Sequence, residues 1–290
     1  MTVYPELGGM VRSLALAPAG SETAVPILAG DREEELRENP WFRGRILFPF
    51  CDRIPGGIYR FEGREYRLPP NQEDGSAIHG LIYDRPSAVR ELHADRLRLR
   101  WRLGEDPGYP FQVELELHYQ LADSGLTMDY RITNRGAASA PVGFGWHPYF
   151  TLPGTTSDEL LLTIPCTSFV EVEEDLTPTG RMLTVSEAAG RYDFRTPRAL
   201  GPEEYDIAFP ADPAEKGLTA TISSAQHRID LSIYGSFRYY QLFTPPDRES
   251  VALEPISNVT DAFNRSDMGM RILAPGESLS ARVELALGLE

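Results

Sequence analysis

The chain has 290 residues, 41% of them hydrophobic and 24% charged, which describes a soluble globular protein with room for a substantial core. Forty-three acids against 28 bases leave a net charge of −15, which argues against nucleic acid and anionic membranes as partners. Cys51 and Cys166 lie far apart with no metal-type spacing, so two reduced, partly buried thiols are expected.

The N-terminal stretch MTVYPELGGMVRSLALAPAG has no basic segment, and Arg12 and Ser13 break its apolar run. It does not read as a signal peptide, and no 18-residue apolar run follows, so a cytoplasmic protein is expected. DREEEL (31–36) reads as a solvated acidic turn. FPFCDRIPGG (48–57) carries Arg53 out of a hydrophobic run into a glycine turn, and GSAIHGL (75–81) sets His79 in a glycine-flanked loop, where a side chain can be aimed at a ligand.

Strict alternation then begins. In RLRLRWRL (96–103) Leu97, Leu99, Trp101 and Leu103 share one face and four arginines the other; FQVELELHYQL (111–121) and LTMDYRIT (126–133) complete an antiparallel meander with one wet face. The arginine stripe beside the glutamate stripe predicts cross-strand ion pairs. His93, His118 and His227 belong to or border such strands and suggest no chemistry. Further strands are expected at LTATIS (218–223), RIDLSIY (228–234), RYYQLFT (238–244) and SLSARVELALGL (278–289), with proline and glycine clusters between them. Helical periodicity is nearly absent. One all-β domain over 1–290 is expected, a large sandwich or jelly-roll-like body.

Three places stand out chemically. GFGWHPYF (143–150) sets His147 before a proline that biases it toward extended backbone; alone, it reads first as a core histidine. Asp206 interrupts the apolar run of EYDIAFP (204–210). In VALEPISNVTDAFN (251–264), Glu254 ends an apolar strand segment, where a carboxylate is costly unless paired, hydrogen-bonded or functional. Histidine and carboxylate spacings suit no metal, and Walker, dinucleotide and nucleophile-elbow motifs are missing, so any chemistry is expected from side chains alone, without cofactor.

In this order, GRILFPFCDRIPGGIYRF, AIHGL, GFGWHPYF, EYDIAF and ALEPISNVTDAFN resemble the motifs of the aldose 1-epimerase (galactose mutarotase-like) family over nearly the whole chain. The resemblance implies a large antiparallel β-sandwich of the supersandwich type with few or no helices. It implies that the protein interconverts the α and β anomers of a free aldose. Glu254 would be the general base and His147 the general acid, with Arg53, His79 and Asp206 holding the sugar's hydroxyls and ring oxygen. The imidazole would start protonated and the carboxylate ionised. Trp146, Tyr149 and Phe150 would either stack on the sugar or belong to the core. Asp52 stands where the family usually has asparagine, which puts substrate identity in question more than reaction type. Alternatives are an epimerase for an anionic sugar, such as a hexose 6-phosphate or sulfonated hexose, with Arg43 or Arg45 as anion contact; a glycosidase using Asp206 and Glu254; and a carbohydrate-binding protein without turnover. A small sugar is the expected partner, and the protein is expected to be a monomer or homodimer.

Overall fold

A computed structural model describes residues 1–211 and 217–290. The alternating segments are strands, joined by turns and four three-residue 3-10 segments, and no α-helix occurs among the described residues. Nine strands form one sheet in the spatial order Ala88–Leu92, Arg96–Arg102, Val113–Ala122, Gly125–Asn134, Ser278–Leu289, His227–Gly235, Leu218–Ser223, Leu161–Thr163 and Arg198–Ala199, every neighbouring pair antiparallel. The register follows the alternation. Leu97 faces Tyr119, Leu99 faces Leu117 and Trp101 faces Leu115 on the inner side, all buried. Arg98, Arg100 and Arg102 face His118, Glu116 and Glu114 on the other. Each such inner side chain contributes roughly 1.5–3 kcal/mol through burial, which holds a sheet of this width in register.

The second sheet orders Asp206–Pro210, Tyr239–Phe243, Val251–Ile256, Gly145–Trp146 and Ile46–Leu47, with Tyr149–Phe150 also pairing with Val251–Ile256. One of its faces packs on the inner face of the nine-stranded sheet in a continuous apolar cluster that includes Leu242, Leu253, Trp146, Leu231, Val283 and Leu117. Tyr240 spans the two layers: its ring is buried and its hydroxyl reaches Leu218 O (2.6 Å) and Leu231 O (2.9 Å) of the opposite sheet. The architecture is the expected antiparallel sandwich. No helix among the described residues is long and apolar enough to cross a membrane.

The acidic turn at 31–36 departs from expectation. Asp31 is 2% exposed, and its carboxylate lies 3.9 Å from the buried guanidinium of Arg45. Burial pushes the Asp31 carboxyl up to about 6, even with Arg45 and Arg43 nearby. Only the middle of the turn, Arg32, Glu33 and Glu34, is exposed to solvent.

Candidate active site

The face of the six-stranded sheet turned away from the sandwich core carries the polar groups. Gln241 pairs with Glu254, and Gly145 with Ile256. Tyr149 pairs with Ala252 in the same register, although the ladder breaks between these two pairs. Carrying that register across the break sets His147 opposite Glu254. The cause of the break is local: the rung at His147 and Glu254 would draw on the N–H groups of residues 148 and 255, and both are proline. The chain is fixed from its other side, where the His147 N–H donates to Arg45 O (3.0 Å) and His147 O accepts from Gly44 N–H (2.8 Å). Strand parity then sends His147, Tyr149, Gln241, Phe243, Glu254 and Ile256 to one face. Asp206 joins them through its pairing with Phe243.

Two loops complete the enclosure. Arg53 and Ile54 pair with Ile78 and Ala77, a two-rung ladder that brings Asp52 beside His79. His79 N–H donates to Asp52 O (3.1 Å), and Asp52 N–H donates to His79 Nδ1 (3.2 Å). That second bond fixes the ring: neutral His79 carries its proton on Nε2, toward the cavity. Both residues are non-glycine at positive φ, +56° for Asp52 and +62° for His79. Gly80 follows at φ +83°, and a Cβ there would lie 2.1 Å from Phe48 O, so only glycine fits. Asn258 clamps the backbone before Asp52, accepting from Cys51 N–H (3.2 Å) and donating to Cys51 O (3.1 Å).

Between sheet and loops lies a cavity of about 150 Å³, room for one monosaccharide. Arg53, His79, His147, Asp206 and Glu254 all line it. His147 Nε2 lies 3.5 Å from Glu254 Oε1, facing it but beyond a good hydrogen bond. Tyr149 stacks parallel on the imidazole, centroids 5.0 Å apart, and donates its hydroxyl to Trp41 O (2.9 Å), which ties the loop carrying Trp41 and Phe42 over the site. Gln241 Nε2 donates to Asp206 Oδ1 (2.6 Å), and Arg53 reaches Asp74 at the rim (3.2 Å).

Burial governs the charge states. It drives the Glu254 carboxyl well above the usual range, and Asp52 and Asp206 push it further. Asp206 is raised to about 7 by burial and by Asp52, against the pull of Gln241 and Arg53. Burial holds His147 down to about 3, with Arg43 adding to the effect, and His79 lies well below its ordinary value for the same first reason. Both members of the His147–Glu254 pair are therefore driven toward their uncharged forms. This differs from the expected imidazolium and carboxylate: desolvation penalises each charge, and the partner at 3.5 Å is too distant to offset it.

Other expectations change as well. Trp146 and Phe150 are 0% exposed and belong to the core; of the three aromatics in that run only Tyr149 lines the cavity. Parity explains the split, since Tyr149 is two residues from His147 whereas Trp146 and Phe150 point the other way. Arg43 and Arg45 do not line the cavity. Arg45 is consumed by Asn39 and the carbonyls of Leu7, Leu36 and Tyr83, and Arg43 pairs with Asp247 at 2.6 Å. Sequence reasoning missed Trp41, Phe42, Gln241 and Phe243. Gln241 left a signal, a polar residue in the middle of the apolar strand YYQLF; Trp41 left none.

The sequence profile of the aldose 1-epimerase family matches residues 2–286. The uncharacterized Escherichia coli protein YihR is 32% identical over 238 residues, covering 81% of this chain and 75% of that protein. Mouse galactose mutarotase is 25% identical over 287 residues, covering 89% and 82%. Among solved structures, a galactose mutarotase-like protein from Clostridium acetobutylicum superposes with a TM-score of 0.85 at 20% identity over 99% of this chain and 92% of that one, a likeness of fold.

Proposed function

The chain belongs to the aldose 1-epimerase family, whose members are isomerases, and from that premise we propose that it interconverts the α and β anomers of a free aldose by acid–base ring opening and closure, with Glu254 and His147 as the proton-carrying pair. The observation that carries the reading is the juxtaposition of these two side chains across a broken ladder, 3.5 Å apart and open to a sugar-sized cavity.

In the proposed reaction, the Glu254 carboxylate takes the proton of the C1 hydroxyl. The C1–O bond to the ring oxygen breaks as the carbonyl forms, and the ring oxygen takes a proton from His147. Rotation about C1–C2 and the reverse transfers close the ring on the other face. The pair needs one proton in total, and neutral carboxylic acid with neutral imidazole holds that same proton on the other partner. Sugar hydroxyls entering the cavity supply hydrogen bonds that replace lost solvation, which favours moving the proton from Glu254 to His147. Tyr149 holds the imidazole plane, Arg53, His79 and Asp206 hold the substrate hydroxyls and ring oxygen, and Trp41 and Phe243 offer apolar faces for the ring.

Exchange NMR or polarimetry across free hexoses and pentoses tests the reading. Anomer exchange should be accelerated in proportion to enzyme, with a bell-shaped pH profile from the coupled pair. Exchange at the spontaneous rate for every sugar would refute it.

A further inference from the structure

The cavity is lined by three carboxylates, Asp52, Asp206 and Glu254. They lie close enough to destabilise one another's charge: Asp52 acts on Asp206, and both act on Glu254. Among the described residues Arg53 is the only permanent cation in the lining, and its guanidinium is already engaged by the exposed Asp74. The two imidazoles are kept uncharged by burial. Some side-chain donors of the lining are already engaged: Gln241 Nε2 donates to Asp206 and Gln72 Nε2 to Asn71 O, while His79 Nδ1 is an acceptor filled by the Asp52 amide, which leaves its Nε2 side for a ligand. The Asp52 carboxylate is braced by the Arg53 N–H (2.8 Å) and by Thr260. The lining thus sets three carboxyl groups against one permanent cation, and burial keeps them from ionising together until a compensating positive charge enters.

A neutral sugar hydroxyl can hydrogen-bond to one of these carboxyl groups but brings no charge that would let them ionise together. A metal ion is a poor remedy, because no group of three His, Cys, Asp or Glu side chains among the described residues could hold one. The complementary group is an ammonium, which brings one positive charge and three donors on a ligand large enough to span the cavity. We propose that the site selects aldoses bearing an ammonium group, received by Asp52 and Asp206, over neutral aldoses, and neutral aldoses over anionic ones. This rests on the proposed epimerase function and names its substrate class. It also adds to the mechanism. A substrate ammonium beside the carboxylates favours ionised Glu254, the form that must take the C1 proton, so the gain falls on turnover as well as on binding.

The test compares enzyme-catalysed anomer exchange, after subtraction of the spontaneous rate, for glucosamine and galactosamine, the parent glucose and galactose, and the two N-acetylated amines. Glucose 6-phosphate is the anionic probe. The expected result is a kcat/KM for the free amines at least ten-fold above both the parent sugars and the N-acetylated forms, with the phosphate slowest. Asp52→Asn keeps the shape and the acceptor for the Arg53 N–H, and should cut the amine-to-parent ratio to below three-fold. Equal rates for amine and parent in the wild-type protein overturn the proposal. So does an N-acetylated sugar that matches its free amine, a comparison that needs no variant. A ratio unchanged in Asp52→Asn overturns the role of Asp52. Exchange of none of these sugars refutes the epimerase reading itself, an outcome distinct from exchange without charge preference.

Discussion

Glu114 and Glu254 sit in strands of the two different sheets and are almost equally buried, 2% and 3% exposed. Their surroundings are opposite. Glu114 accepts from Arg102 Nε (2.7 Å) and from Arg135 Nη2 (2.7 Å), with Arg100 Nη1 at 3.8 Å. Burial raises its carboxyl, but the guanidinium bonds outweigh that and hold it below the ordinary range. Among the described residues no guanidinium pairs with Glu254; it faces an imidazole at 3.5 Å and two further carboxyl groups, and is pushed well up. Burial therefore does not distinguish a structural carboxylate from one proposed to carry a proton in turnover. Satisfaction does: a charge compensated on every side is fixed, whereas one left uncompensated at a cavity can exchange its proton with whatever enters.

Substituting each of the two with its amide separates them most sharply. Glu254→Gln should lower anomer exchange by about 10³-fold while sugar binding persists, since positioned acid–base groups contribute on the order of 10²–10⁴-fold. Exchange NMR together with a binding titration reads both effects, and retained turnover would remove Glu254 from the mechanism. Glu114→Gln should leave exchange near wild type and lower the unfolding free energy by about 2 kcal/mol, the scale of hydrogen bonds to a charged group. Urea unfolding checks it, and a large loss of activity without loss of stability would break the contrast.

Asp206 offers a finer test through pH. Its carboxyl titrates at about 7 in the fold against 3.8 as the reference value, so the folded protein binds the extra proton between those limits. The stabilisation this gives is complete below pH 4 and is lost as pH rises through 7. Asp206→Asn removes that dependence. Its stability relative to wild type should improve by about 2 kcal/mol between pH 4 and pH 8, less than the full shift implies because the group borders a solvent-accessible cavity. Thermal unfolding across that range measures it, and a constant difference would mean that Asp206 is not raised.

The sandwich was legible in the chain because each strand has one face against apolar neighbours and the other against water or a polar cavity, which writes period two directly into RLRLRWRL and SLSARVELALGL. The partner of each strand was less so. Nothing local says that Gly125–Asn134 lies beside Ser278–Leu289, because that pairing is fixed by the shared core. Arg53, His79, His147, Asp206 and Glu254 stand out as polar residues in apolar or glycine-rich runs, but each alone has a structural explanation and His147 reads first as a core residue; it is the resemblance to the epimerase motifs that groups them into one site. Phe243 does not stand out, since an aromatic facing a cavity alternates along its strand just as one facing a core does. Arg43 and Arg45 misled for a related reason. A guanidinium next to a site in sequence can be spent wholly on carbonyls and carboxylates behind it, and only the fold reveals where it points.

The reciprocal bonds between Asp52 and His79 have a consequence for how the pocket can change. Each residue's amide is satisfied by the other, and both adopt left-handed backbone, so a residue inserted or deleted in either loop unfastens both at once. Length variation is thereby barred from this side of the pocket, and new specificity on it must come from exchanging side chains at constant length. At Trp41, whose carbonyl accepts from the Tyr149 hydroxyl and whose ring lies 6.3 Å from Phe243, the rim carries no such reciprocal lock. The neighbouring Asn39 and Phe42 are themselves left-handed, and Phe42 packs 4.6 Å from His79, so the room to vary lies in the Trp41 side chain and, on the locked side, in the one atom that separates Asp52 from asparagine.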